Sequence, residues 1–343
     1  MVAETAAYDG LPETLEYSGE FGTELIIFLP FVTWLSEAGL LRDRYVKSYK
    51  GMGCFYAHVA CKRFIEKDDT RGWVRLDQRP RWLPIRHEDT FDRTYAPCAH
   101  HSYPDLRALF SQADLRSSRL NGCRPILVVH NKYNREWKFR QPINYLTLKS
   151  LRSIFEAYSS VYQIVYIRHG LKPVGETYSH DRNAFVADFQ DAALLLEYPN
   201  VLSFDDIFDE HIAKGGCPDI NLVKNAIYAR SYHFISAQGG GTYQCAYYSG
   251  SLLMIQHRTG IEHSWPYIGY FRYLAKPPVH LAIATSEAAL IAGLPIFDSP
   301  AVRDGAAQMR ADRRQLAQHL DAGRPELLAM PLYRDLGGVP PPL

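Results

Sequence analysis

The sequence predicts an α/β fold with parallel sheets flanked by helices, and three features point to it. From Pro125 onward, short apolar runs alternate with segments of helical spacing. The runs are four or five residues long and rich in Val, Ile and Leu, as expected of strands covered on both faces. The chain's one run of three consecutive glycines, Gly239 to Gly241, directly follows such a strand. Strands and helices alternating in this way build βαβ units and a doubly wound sheet.

The 343 residues exceed one ordinary core and divide into about two domains of roughly 150 residues each. Residues 1–120 form the first half and residues 121–300 the more regular second half. The boundary falls near Leu115 to Gly122, and residues 301–343 are a C-terminal extension. In the first half, residues 14–18 suit a short strand, followed by the turn Ser18 to Gly22. Leu25, Phe28, Leu29, Val32 and Leu35 then follow a helical period that ends near Gly39. Pro30 falls inside that pattern, which predicts a kink or two shorter helices. From 43 to 118 apolar runs are broken by charge and proline clusters such as Asp68 to Arg71 and Gln78 to Arg81, and no regular element is predicted there.

In the second half, Pro125 to Val129 is the first strand, and residues 143–160 carry Leu148, Leu151, Phe155 and Tyr158 at helical spacing. Strands follow at Gln163 to Ile167 and Val201 to Phe204. Asp219 is a good N-cap for a helix whose apolar residues are Leu222, Val223, Ala226 and Ile227. His233 to Ser236 is a strand, the glycine loop leads into a helix through Ala246, and Leu252 to Gln256 is a further strand. Val302 to Ala322 reads as an Arg-rich amphipathic helix that packs back on the first half, ahead of the Pro-rich tail Gly337 to Leu343.

Lys plus Arg number 38 against 37 Asp plus Glu, a net charge of +1. Nucleic-acid binding by a dense basic face is therefore not expected, while a local basic pocket for one anionic ligand remains open. The run Leu25 to Leu35 is about half of the roughly 20 residues a membrane-spanning helix needs. The N-terminus has no basic region followed by an apolar stretch, so the expected location is cytoplasmic. Six scattered cysteines without CxxC spacing are expected to be buried free thiols. Cys98, His100 and His101 lack the paired spacing of a zinc site, and no metal is expected.

Four loops carry the candidate chemistry. In Gln238-Gly239-Gly240-Gly241-Thr242-Tyr243, a strand ends and a helix begins at or near Thr242. Glycines admit a close backbone approach, and a helix N-terminus favours an anion, so a phosphate suits this loop; packing alone is the competing explanation. The loop after the first strand of the second half, His130-Asn131-Lys132 through Arg135 to Trp137, offers a point charge and a planar fork to phosphate oxygens. Arg168, at the end of the next strand, adds a further cation to the same rim. In the first half, Gly19 and Gly22 bracket Glu20, a candidate general base at an accessible turn; Glu20 or Glu24 equally suits the start of the following helix. Glu262 suits ribose hydroxyls or a surface role. Asp205 and Asp206 suit a helix start better than a substrate contact.

The stretches GEFGTEL (19–25), HNKYNREW with PINYL (130–146), QIVYIR (163–168) and FISAQGGGTYQCAYYSG (234–250) resemble glycosyltransferases of the GT-B class. More loosely, the chain is similar to fucosyltransferase-type enzymes, although Tyr166 to Gly170 only approximates their His-Val-Arg-Arg signature. The resemblance implies two facing Rossmann-like domains and metal-independent, inverting transfer from a nucleotide-sugar to a glycan or other hydroxyl acceptor. It implies catalytic roles for Glu20 and Arg168. Donor contacts would come from His130, Asn131, Lys132, Arg135, Gln238 to Gly241, Thr242, Tyr243 and Glu262. A lipid-linked acceptor would bring the protein to a membrane surface, and a homodimer is the base-rate expectation. Two alternatives stay open: a two-domain sugar-nucleotide epimerase, and a non-catalytic sugar- or nucleotide-binding protein.

Overall fold

The computed structural model describes residues 10–72, 74, 78–84, 100–120, 122, 124–133, 142–168, 189–257, 269–298 and 327–329. The chain opens with β1 (Thr14–Glu16), which is parallel to β2 (Tyr45–Tyr49), itself parallel to β3 (Arg63–Lys67). Between β1 and β2 runs α1, in which Phe21–Thr23, a π-helical stretch Glu24–Phe28 and Leu29–Glu37 follow without a break. Pro30 stands in the first turn of Leu29–Glu37. A proline has no N–H to donate, so the register change falls where an α-helical bond would be missing. The strands β2 and β3 and the short helix α2 (Leu106–Phe110) lie where no regular element was expected. Each has only five residues, too few for a period to stand out against the polar residues between them.

The second half builds a seven-stranded sheet. In it β4 (Ile126–Asn131), β5 (Gln163–Arg168), β6 (Leu202–Ser203), β7 (Ser231–Ala237), β8 (Ser251–Ile255) and β9 (His280–Ala284) pair in parallel, and β10 (Leu327–Ala329) adds an antiparallel edge. The spatial order is β10-β9-β8-β7-β4-β5-β6. The chain starts at the centre with β4, moves outward to β6, returns to β7 and runs out the other way. This is the Rossmann-like winding, and its switch point lies between β4 and β7.

Successive residues of each strand point to opposite faces, and both faces are covered. Leu127, Val129, Ile164, Ile235 and Leu253 pack with Leu151, Ile154 and Phe155 of α3 (Leu148–Tyr158) and with Leu194 of α4 (Asp191–Glu197). Val128, Val165, Phe234 and Met254 pack with Ile207 of α5 (Phe204–Ala213), with Val223 and Ile227 of α6 (Ile220–Ala229) and with Cys245 of α7 (Gly240–Ala246). That second cluster continues without interruption into Leu15, Phe28, Val46 and Phe55 of the first half. Helix α8 (Glu287–Gly293) returns to the first face through Ala289 and Leu290.

Arg107 on α2 ties the halves together. Its guanidinium donates to the carbonyls of Ala229 (2.5 Å), Ser231 (2.6 Å) and Tyr248 (2.9 Å) and lies 3.9 Å from the centre of the Tyr232 ring. The Asp219 carboxylate caps α6 as expected, accepting from the Leu222 N–H at 3.0 Å. Of the four described cysteines, all unpaired, Cys245 is buried, Cys54 and Cys61 are half-buried and Cys217 is exposed, so the expectation of burial holds only in part. Among the described residues no helix is long and apolar enough to cross a membrane. The Val302 to Ala322 helix and the Pro-rich tail expected from the sequence lie outside the described residues.

Candidate functional site

In an open parallel sheet, ligands bind beyond the carboxyl ends of the strands at the switch point. Here the two strands at that point, β4 and β7, end in the two second-half loops that the sequence singles out most strongly. His130 lies opposite Ser236 in the β4–β7 register, so the loops leave the sheet side by side. Gly239 has φ +144°, a conformation that favours glycine, and a Cβ there would stand 3.3 Å from Lys132 Nζ. A Cβ on Gly241 would run into the His130 ring, which is 3.1 Å from the Tyr228 hydroxyl through Nδ1.

The Gly19 to Gly22 turn of the first half closes on the same place. A Cβ on Gly240 would lie 2.8 Å from Phe21 Cδ1 and 2.9 Å from the Gly22 nitrogen, so the backbone starts of α1 and α7 touch. Part of the glycine run is thus used to let protein approach protein. The turn is braced from beneath: Glu24 and Arg71 form a fully buried ion pair at 2.7 Å. Glu24 also accepts from Tyr56 (2.8 Å) and from Ser48, and Arg71 lies 4.1 Å from the centre of the Tyr49 ring and 5.5 Å from that of Phe21. Gly240→Ala is expected to cost about 1–3 kcal/mol, because its neighbour is backbone and cannot rotate away. Urea unfolding of the alanine variant measures this, and unchanged stability would mean that the seam is looser than it stands here.

The expected site residues divide by how they are used. Lys132 and His130 reach the glycine loop. Gln238 is half-exposed beside it and accepts from Asn144 Nδ2 at 3.2 Å. The Tyr243 ring stacks on Phe271, centroids 5.1 Å apart, alongside Gly22. Glu20 is exposed at the start of α1 and makes no capping bond with its side chain, whereas Glu24 is spent on Arg71. Asn131 is fully buried, and its amide donates to Leu146 O and Tyr166 Oη and accepts from the N–H groups of Leu146 and Lys132; all its polar capacity holds the loop. Helix α7 begins at Gly240, two residues before the expected Thr242. The Thr242 hydroxyl turns inward, donating to Ala237 O at 2.7 Å.

Arg168 is 7% exposed and gripped by Asp191 at 2.5 and 2.8 Å, with Tyr166 donating to the same carboxylate at 2.7 Å. Its charge is therefore matched within the protein. Asp205 and Asp206 lie in the first turn of α5, behind the cap Ser203, as their helix-start reading expects. His101 is half-buried beside Phe31 and Tyr103, and burial of its ring lowers it to about 3. No group of three His, Cys, Asp or Glu among the described residues is arranged to hold a metal. Arg135, Glu262 and Cys98 lie outside the described residues.

A row of polar residues on α6 escaped the sequence reading. Asn221, Lys224, Asn225 and Tyr228 recur at helical spacing and are all buried, because the first half lies on them. Asn221 donates to Gly51 O at 2.6 Å; Asn225 accepts from Gln244 Nε2 at 2.6 Å and faces Cys54 Sγ at 3.9 Å. The signal was the i, i+3, i+4, i+7 spacing itself, which ordinarily marks a solvent face. Lys224 is 8% exposed, with Nζ 5.7 Å from the Phe21 ring centre, and burial lowers it to about 8. Gln244 Oε1 has no hydrogen-bond partner among the described residues, an acceptor suited to a hydroxyl.

In comparisons with known proteins, no protein-family model and no curated protein matches the chain.

Proposed function

We propose that this protein is a glycosyltransferase that moves a sugar from a nucleotide-sugar to a hydroxyl acceptor, with the first half on the acceptor side and the second half on the donor side of a GT-B-type pair. The observation behind this reading is the seam at the switch point. There the Gly19 to Gly22 turn meets the Gly239 to Gly241 loop, with Lys132 and His130 alongside. Cationic side chains at that rim would bind the donor diphosphate and stabilise the charge that develops on it as the glycosidic bond breaks, a role that calls for no divalent ion. Lys132 stands beside Gly239, whereas Arg168 is held by Asp191. The exposed Glu20 would remove the acceptor hydroxyl's proton.

A ligand that binds only the native state raises the thermal midpoint as its concentration passes its dissociation constant. One of UDP, GDP, dTDP, CMP or ADP is expected to raise it equally with Mg²⁺ and with EDTA, and Glu20→Gln is expected to keep that shift while losing turnover. No shift with any nucleotide rejects the reading. Binding without transfer to any acceptor would favour a non-catalytic binding protein, and epimerisation of the donor alone would favour an epimerase.

A further inference from the structure

Lys224 is a cation held inside the protein with no ion pair to a described residue. It is 8% exposed and makes no hydrogen bond with a described residue; its Nζ lies 5.7 Å from the centre of the Phe21 ring. Around it stand Cys54 from the turn Gly53–Tyr56, Cys245 from α7, and Asp219 and Tyr228 from α6 itself. The Asp219 carboxylate caps α6 and favours the ammonium from a distance, without forming an ion pair with it. Burial pushes the Cys54 thiol and the Tyr228 phenol well up and Cys245 up to about 12, so none of the three supplies an anion. Arg71 shares the Phe21 ring with Lys224, but Glu24 answers its charge. Among the described residues Lys224 therefore has no ion-pair partner at the root of the seam. Burying it without a partner works against the fold, the pattern expected where a residue is kept for a ligand rather than for stability.

Its position indicates which ligand. Lys224 reaches the Phe21 ring, whose Cδ1 lies 2.8 Å from where a Gly240 Cβ would stand, while Lys132 Nζ lies 3.3 Å from the corresponding point on Gly239. Lys224 thus stands against the Phe21 side chain of the turn and Lys132 against Gly239 of the loop, and ammonium groups at those two places suit an anion with several charged oxygens. We propose that Lys224 is the receptor for a phosphate-type anion entering the seam between the Gly19 to Gly22 turn and the Gly239 to Gly241 loop. The inference rests on the reading above only for the identity of the molecule that carries the phosphate.

The charge state makes two opposite pH signatures. Burial lowers Lys224 from 10.5 to about 8, so the ammonium is present at pH 7 and lost as pH rises through 8; anion affinity falls over that range. The folded value lies below the unfolded one, so the stability of the unliganded protein rises between about 8 and 10.5. Burial also raises Asp219 from its ordinary carboxylate value, and the other titratable groups beside Lys224 are Cys54, Cys245 and Tyr228, the last bonded to His130.

The test uses the full chain, with thermal midpoints measured against inorganic pyrophosphate, acetate and nucleoside diphosphates. In the unaltered protein pyrophosphate is expected to raise the midpoint at pH 7, and the effect to weaken by pH 9.5. Lys224→Met is expected to have an unliganded midpoint equal to or above the original, with pyrophosphate affinity weaker on the order of tenfold or more. A lower unliganded midpoint, or failure to fold, would make Lys224 a structural residue and overturn the proposal. So would an unchanged pyrophosphate response in the variant, no response in the original, equal protection by acetate, or affinity that does not move with pH. Pyrophosphate protection lost with Lys224, but with no nucleoside diphosphate binding better, keeps the anion site and rejects the glycosyltransferase reading. Nucleoside-diphosphate protection that survives in Lys224→Met does the reverse.

Discussion

Arg71→Met is expected to destabilise the protein by about 3–5 kcal/mol, because removing one partner of a buried ion pair leaves the other uncompensated. Glu24 and Arg71 are both fully buried and 2.7 Å apart. Ser48 and Tyr56 would still donate to Glu24 after the change, but two hydroxyls do not replace a guanidinium charge. The pair also braces α1 just beneath the Gly19 to Gly22 turn, so the loss reaches the seam. Replacing both partners, Glu24→Leu with Arg71→Met, is expected to recover most of the loss, since a well-packed apolar pair avoids the desolvation that the ion pair must offset. Urea unfolding of the two single variants and the double variant measures the coupling. A single-variant loss under about 1 kcal/mol would show that the carboxylate finds water or another donor.

Arg168→Ala carries a similar expected loss, about 3–5 kcal/mol. Asp191 is 2% exposed and, among the described residues, would keep only the Tyr166 hydroxyl as a side-chain donor. The pair joins the end of β5 to the start of α4, and breaking it loosens the rim next to β4. A weak-binding Arg168→Ala variant would therefore not by itself place Arg168 on the proposed donor. Asp191→Ala separates the two roles: it frees the guanidinium while removing its structural partner. If Arg168 only holds the rim, both single variants lose stability and donor affinity together, and the Arg168→Ala, Asp191→Ala double variant recovers part of the stability. Donor affinity that falls for Arg168→Ala but holds for Asp191→Ala, measured on folded protein, would assign the residue to the ligand.

Much of the second half was legible in the sequence because its signals are local. A strand covered on both faces must be a short apolar run, so β4, β5, β7 and β8 announced themselves. A carboxylate ahead of a helix satisfies that helix's own N–H groups, and Asp219 does this where it was expected. The glycine run marked a sharp strand-to-helix turn, although α7 starts at Gly240 rather than near Thr242. The five-residue strands of the first half sent no comparable signal, since alternation over so few residues is easily hidden by the polar positions between them.

The sequence by itself thus determined the class of fold, the order of β4, α3, β5, β6, α6, β7, α7 and β8, and the loops rich in glycine and cations. Which loops meet was decided by the tertiary structure: β4 and β7 are neighbours although β5 and β6 lie between them along the chain, and Gly22 touches Gly240 from the other half. The tertiary structure also decided which polar residues are buried. Glu24 and Arg71 stand 47 residues apart in the chain, and the polar row of α6 has the spacing of a solvent face until the first half covers it. The physical reason is one of range. Periodicity and capping depend on residues within a turn or two, whereas burial of a charge depends on what distant segments place over it.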